Sequence, residues 1–552
     1  MIGGYVLQTG RMLPPGELSA GVAPPIMAHP SGATRGRPRS WLLADAAWRL
    51  GPRAVVLYAW HRATAGSLRD EAPAERPFFI QAAPAAPRDW HGPFDAGAPA
   101  MGMDLFAPGD VRPVWEASRL GALQHLAAEE AEALLAGWVA ANPPFRGPNW
   151  ACGQEAALRV LHIALALQGP PGPGLRRLIG QHARRIEATP AYALAQDNNH
   201  PVSEAAGLFA CDLLLGRRPR GGGRLARLLA RLVSVDGTFA PVSPQYQRLL
   251  LDVLWAVETL RRRHGAVPFP APFAARAAAA TRWLARLTCP ATGALPRIGH
   301  CDGSAFADRA GAGPEDARAS VSRAWEMFVG GPMPDPGAWS AAGLRGWASQ
   351  GARAVLRSGP IRFRPAHADL LHLDLWDGPH ALLRDGGTGA YNPAPADRWW
   401  LGYFPGTSAH NTIAFDGRDQ MPRAGRFLFA AWPRTETLPD GAAIIDHTGC
   451  RHERRIAVAG RDWRVEDRLA GPFQEAVLRW RLGGKWEAMA DGAAGPHGRL
   501  RLTADTPCTI AIEAGHESPA YGIVRPALVL TLRARVPVAR IVTEIALPGA
   551  AG

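Results

Sequence analysis

Amide, imidazole and carboxyl groups crowd into one short stretch, QDNNHPVSEAAGLFA, from Gln196 to Ala210. Asn198, Asn199 and His200 stand directly before a helix-like run that also carries Glu204. That order gathers amide donors and an imidazole at one helix start, which few structural jobs need. Capping accounts for the same residues: Asp197, Asn198 and Asn199 suit the orphan amides of a first turn, and Pro201 suits its backbone. Two further clusters bear on the choice. In DGTFAPVSPQYQRLLLD, Tyr246 opens a helix after a loop of glycine and proline, and a phenol there can give or take a proton; a place in the core is the commoner fate of a tyrosine. The third cluster, His367, Asp369, Asp385, Tyr391, Arg398, Tyr403 and His410, lies far downstream. Within it His367, Asp385 and His410 sit on or beside separate predicted strands, and two imidazoles and a carboxylate form the donor set of a zinc-type ion if they converge. Unrelated histidines also scatter through any β region.

The elements that must position these groups fall into two kinds. Residues 1 to about 100 are rich in proline and glycine, with one apolar patch from Trp41 to Trp60, and read as a partly ordered lead-in. From Val111 the apolar spacing becomes helical. VRPVWEASRLGALQHLAAEEAEALLAGWVAA is broken by NPPFRGPNW and followed by ACGQEAALRVLHIALAL, where Glu155 and Arg159 stand one turn apart as a surface ion pair would. Further helices are expected over Leu175 to Ala188, Ser203 to Leu215, Arg224 to Val235, Tyr246 to Arg263, Phe273 to Leu287 and Ala317 to Val329. Helical hairpins with short linkers and no strands argue for a solenoid or a closed ring. Near Gly346 the period shortens to two, through HADLLHLDLW, HALLRDGG, HNTIAFDG, RRIAVAGRDWRVEDRLAG, AVLRWRLGG and later runs, which predicts an antiparallel β-sandwich. The boundary is expected around residues 335 to 360.

Composition narrows the class. The chain has 552 residues, 47% of them hydrophobic and 20% charged, enough for two to four domains each with its own core. A formal charge of +13 favours polyanions, and most of that charge is arginine, whose guanidinium meets carboxylate or sulfate oxygens in pairs. A GC-rich coding sequence is the simpler explanation of the arginine, so charge gives a direction and not a partner. Cys152, Cys211, Cys289, Cys301, Cys450 and Cys508 form no CxxC pair, which argues against a thiolate zinc site or a disulfide scaffold. No apolar run is long enough for a membrane span, and the first residues show no signal peptide. The localisation expected from the sequence is therefore cytoplasmic, or periplasmic if the start codon is misassigned.

Taken in order, VRPVWEASR, NWACGQEAALR, DNNHPVSEAAGLF, SPQYQRLLLD, HADLLHLDLW, LLRDGGTGAYN and SAHNTIAFDGRDQ resemble the heparinase II/III-type polysaccharide lyases and their alginate-lyase relatives. The resemblance covers residues 105 to 430 in motifs and implies an N-terminal (α/α) toroid over 101–345 and a β-sandwich over 346–552. It further implies a bacterial lyase that cleaves a uronic-acid-containing, glycosaminoglycan-like polysaccharide by β-elimination in the groove between the two. On that reading Asn199 and His200 neutralise the uronate carboxylate, Tyr246 acts as base, acid or both, and Glu204 orients His200. A phenol ionises unaided only near pH ~10, so Arg248 or another cation is expected beside it. His367, Asp385 and His410 match the family's metal triad, with a structural Zn2+ or other divalent ion and no organic cofactor. Trp115, Trp150, Arg159, Tyr391, Arg398, Trp399 and Tyr403 are candidates for the groove, although each tryptophan fits a core equally well.

One position departs from the pattern. Relatives commonly read H-x-H-x-D at the first β motif, whereas this chain reads Pro365-Ala366-His367-Ala368-Asp369. Proline cannot titrate, so Tyr246 with Tyr391 or Tyr403 must cover both proton steps, or the activity is altered. The competing expectation is a catalytically weakened glycan-binding or polysaccharide-assembly protein on the same scaffold. The expected partner is an acidic polysaccharide, with no nucleic acid and no membrane span; a homodimer stays open.

Overall fold

The computed structural model describes residues 38–64, 68–80, 88–306, 315–335 and 337–549. The helical half runs from Arg112 to Phe328 and the β half begins at the strand Trp339–Ala341. Together they form an (α/α) toroid followed by an antiparallel β-sandwich, the fold class that periodicity and resemblance predict.

Three helices are buried almost all round: Gly153–Ala166, Asn199–Leu214 and Pro244–Arg263. The helices packed outside them, Pro173–Glu187, Gly221–Leu232 and Phe273–Leu287, bury one face and leave arginines on the other. This inner and outer pairing is what a two-layered ring requires, since only the outer helix meets water on one side. The inner helices approach closely through small residues. A Cβ at Gly207 would stand 2.6 Å from that of Ala157, so glycine is needed where Asn199–Leu214 crosses Gly153–Ala166.

The inner helices also bury polar side chains, which must then be paired. Arg119 donates to both oxygens of Glu155 at 2.7 and 2.8 Å, and Arg159 donates to the carbonyls of Ser118 and Asn149 and to His182. The expected surface pair of Glu155 with Arg159 is therefore corrected: both are buried, and Glu155 takes Arg119 instead.

Among the described residues of the β half, nine strands make one sheet and eight another. The first includes Ala352–Gly359, Leu373–Asp377, His380–Leu383 and Glu475–Leu482; the second includes Arg451–Ala459, Asp462–Ala470 and Arg540–Ala546. Leu356, Leu375, Ile413, Trp463, Trp480 and Ile541 fill the space between them. Asp467 points into the same core, where it accepts from Arg454 and His452 at 2.7 Å each. Burial works against this carboxylate, but the two donors hold it down at about 2.

The Trp41 to Trp60 patch forms two helices, Arg39–Leu50 and Pro52–Thr64. The first packs on the short strands Arg423–Gly425 and Leu428–Phe429 of the β half, and the second on Pro190–Gln196 of the toroid. The rest of the expected lead-in up to residue 37 lies outside the described residues.

Candidate functional site

Where toroid and sandwich meet, Tyr246 lies at the start of Pro244–Arg263, its backbone N–H capped by Ser243 Oγ at 3.1 Å. Ser243 also donates to the carbonyl of His300, which fixes the 299–304 loop, GHCDGS, beside the tyrosine. The Tyr246 hydroxyl donates to Asp302 Oδ2 at 3.1 Å, and so does that of Tyr391 from the β half. The two hydroxyl oxygens are 3.3 Å apart. His300 completes the group, its Nδ1 3.0 Å from the Tyr391 hydroxyl and its ring stacked on Tyr246 at 5.3 Å.

Charge in this cluster follows from its surroundings. Burial pushes Asp302 up, but Arg112, 3.4 Å away, and Ser304 outweigh it and keep the carboxylate ionised. Burial, followed by the Asp302 charge, pushes both Tyr246 and Tyr391 above the ordinary phenol range, so both hold their protons. An ionised Asp302 only accepts. Both phenols therefore aim their protons at it, which leaves the Tyr391 oxygen to accept from His300 Nδ1–H. His300 Nε2 then carries the lone pair and has no protein partner among the described residues. Burial lowers this histidine to about 4 and keeps it neutral.

At the start of Asn199–Leu214, Asn198 caps the helix by accepting from the His200 N–H at 2.9 Å. Asn199 itself is buried, and its Nδ2 has no partner among the described residues. His200 is half-buried, its Nδ1 3.9 Å from Cys152 Sγ, and burial lowers its pKa. Glu204 lies against Gly153 with both oxygens unpartnered, and burial raises it to about 8. It makes no hydrogen bond to His200, so the expected orienting contact is absent; one turn of helix separates the two, but the carboxyl is turned toward Gly153.

On the β side His367, Asp385 and His410 converge, with one ligating atom from each within 4.8 Å of the others. His410 Nδ1 lies 2.7 Å from Asp385 Oδ2, while His410 Nε2 and His367 Nδ1 are buried without partners among the described residues. His372 stands behind Asp385 at 3.6 Å. Two orphaned imidazole nitrogens beside a carboxylate suit a divalent ion such as zinc, so this cluster could hold one.

Other expected groove residues lie elsewhere. Trp150 and Arg159 are fully buried in the toroid core, with the guanidinium over Trp138 at 4.3 Å. Trp150 stands in the short turn before Gly153–Ala166, and that helix, which carries Arg159, is buried on every face, so sequence alone did not tell wall from core. Trp115 is half-buried and spends its indole N–H on the Pro148 carbonyl. Arg248 turns away from Tyr246 to Ser320 and the Asp316 carbonyl, because residues two apart on a helix do not share a face; the cation near the phenol is Arg112. Tyr403 is bound by Arg481 at 2.6 Å, and Trp399 packs on His516, both on the sandwich; Arg398 is exposed. Asp369 faces Arg357 at 3.6 Å.

His300, Asp302 and Arg112 are the residues that sequence reasoning missed. His300 and Pro365 line one cavity between the two halves, so an imidazole from the toroid stands at the same cavity as the proline found where the resemblance leads one to expect a histidine. An imidazole and a carboxylate two residues apart in GHCDGS were the available signal.

Residues 332–546 match the family model described as Heparinase II/III-like, C-terminal. Among solved structures, heparinase III aligns with a TM-score of 0.58 at 13% identity, over 72% of this chain and 70% of its own. The heparan sulfate lyase HepC from Pedobacter heparinus aligns with a TM-score of 0.53 at 15% identity, over 80% and 76%. At such identities the likeness is one of fold. No curated protein matches the chain in sequence.

Proposed function

We propose that the chain, with a sandwich that matches the Heparinase II/III-like C-terminal family and a toroid-plus-sandwich fold like that of heparinase III, is a heparinase II/III-type polysaccharide lyase acting on a uronate-containing glycan by β-elimination. The observation that carries this reading is the cluster of Tyr246, Tyr391, Asp302 and His300, in which the two halves of the chain hold two phenols on one carboxylate oxygen.

The proton at C5 of a uronate is weakly acidic while the neighbouring carboxylate is charged. The free Asn199 amide and His200 would donate to that carboxylate and stabilise charge as it builds up. A neutral His300, with an open Nε2, would take the C5 proton as the C4–O4 bond breaks and a C4–C5 double bond forms. Tyr246, held as a phenol, would give its proton to the departing O4. This division gives the second proton step, left open by Pro365, to a histidine from the toroid. An ion held by His367, Asp385 and His410 would supply fixed positive charge that braces the β side of the cleft.

The test is direct. Purified chain incubated with uronate polymers should yield the ultraviolet absorbance of an unsaturated product. Binding without absorbance on every polymer tried would instead favour the glycan-binding reading, and Pro365 is the residue that would explain it.

A further inference from the structure

Arg364 crosses from the β half toward the toroid, where its guanidinium donates to Gln196 Oε1 at 3.1 Å, three residues before Asn199. No carboxylate lies within ion-pair distance of it among the described residues, and its Nε is buried without a partner. The side chain lines the cavity that also holds Ser243, His300, Pro365 and Asp369, and Asp369 is already faced by Arg357. Three more arginines crowd the same edge. Arg53 and Arg231 both bind Asp197, at 3.2 and 2.6 Å, and Arg362 donates to the Arg231 carbonyl. Arg53 and Arg231 thus share Asp197, whereas Arg362 and Arg364 line the cavity and form no ion pair with it.

A half-buried cation with no counter-charge is poorly solvated and gains most from an anion that enters beside it. We propose that Arg364 is a docking point for an anionic group of the substrate, a carboxylate or an O-sulfo group, and that Arg53, Arg231 and Arg362 extend this positive edge along the glycan. The inference rests on the acidic-glycan reading for its ligand class, and Arg364 acts through binding and not through proton transfer.

Wild type and Arg364→Met are compared, as full-length chains, for binding and cleavage of three oligosaccharides: a uronate oligomer without sulfate, a sulfated uronate oligomer and a neutral oligomer. Loss of one charge-assisted contact should raise Kd and KM for the anionic oligomers about tenfold or more, with kcat nearly unchanged and a shallower salt dependence. A loss in both anionic arms identifies a carboxylate as the group; a loss confined to the sulfated arm identifies an O-sulfo group. The variant should melt no lower than wild type, because it removes a cation that has no partner ion. Arg364→Gln repeats the comparison with a donor still facing Gln196. Unchanged affinity of both variants for both anionic oligomers overturns the inference, even when wild type produces unsaturated product. Arg364-dependent binding without product upholds it while the lyase reading falls.

Discussion

At the Tyr246 end of the cleft the hydroxyls are tied: two phenols donate to Asp302, and Arg112 and Ser304 support it from behind. At the Asn199 end three polar atoms within six residues, Asn199 Nδ2 and both Glu204 oxygens, have no partner among the described residues. Leaving a buried polar atom unpaired costs about 1–3 kcal/mol, so a folded protein tolerates such a group where something else will meet it. On the lyase reading proposed above, the difference separates two jobs. A proton-transfer group must be positioned before the substrate arrives, whereas a receiving group needs open valences that only the substrate fills.

The largest expected effect is at the first end. Tyr246→Phe should lower kcat by about 10²- to 10⁴-fold, while a thermal melt of the variant stays close to wild type. Asn199→Ala should follow, with turnover reduced on the order of 10²-fold and a melting temperature equal or higher, since it deletes an amide that nothing satisfies. A clear fall in stability of this variant would mean that the amide is structural, and the contrast between the two ends would collapse.

Glu204 sharpens the same contrast through pH. Its folded pKa, about 8, lies above the ordinary value of 4.5, so the fold favours the neutral acid. Stability contributed by that form is complete below about pH 4.5 and is lost as pH rises toward 8, at no more than about 1.4 kcal/mol per pH unit. Glu204→Gln lacks this dependence, and its melting temperature should overtake that of wild type as the buffer is moved from about pH 5 to about pH 8. Parallel curves would place a compensating group beside the carboxyl. A smaller change is expected at the His367, Asp385 and His410 cluster, where zinc at about a hundred times its Kd should stabilise wild type by about 2.7 kcal/mol and His410→Ala by much less, read by calorimetry. Arg398→Ala should alter turnover by less than about twofold, since its side chain is exposed and makes no hydrogen bond or ion pair to either end among the described residues.

Much of this arrangement was legible in the sequence because periodicity reports burial. The alternation of Asp462–Ala470 and the helical spacing of Phe273–Leu287 mark which residues face inward. The signal fails where a helix is buried on all sides: nothing in ACGQEAALRVLHIALAL distinguishes Arg159, held in the core, from a residue lining the cleft. It fails again where partners meet through loops. His300 and Tyr391 belong to segments about ninety residues apart, and only packing of the sandwich on the toroid shows that they touch. Placing Arg248 beside Tyr246 came from reading nearness along the chain as nearness in space.

The shared oxygen of Asp302 has one more implication. One phenol on it comes from before Phe328 and the other from after Trp339, so neither fragment of a chain cut in that linker carries the complete constellation. Mixed fragments should therefore recover turnover only as fast as they find each other, and the reappearance of product would serve as a clock for the mating of the two pieces.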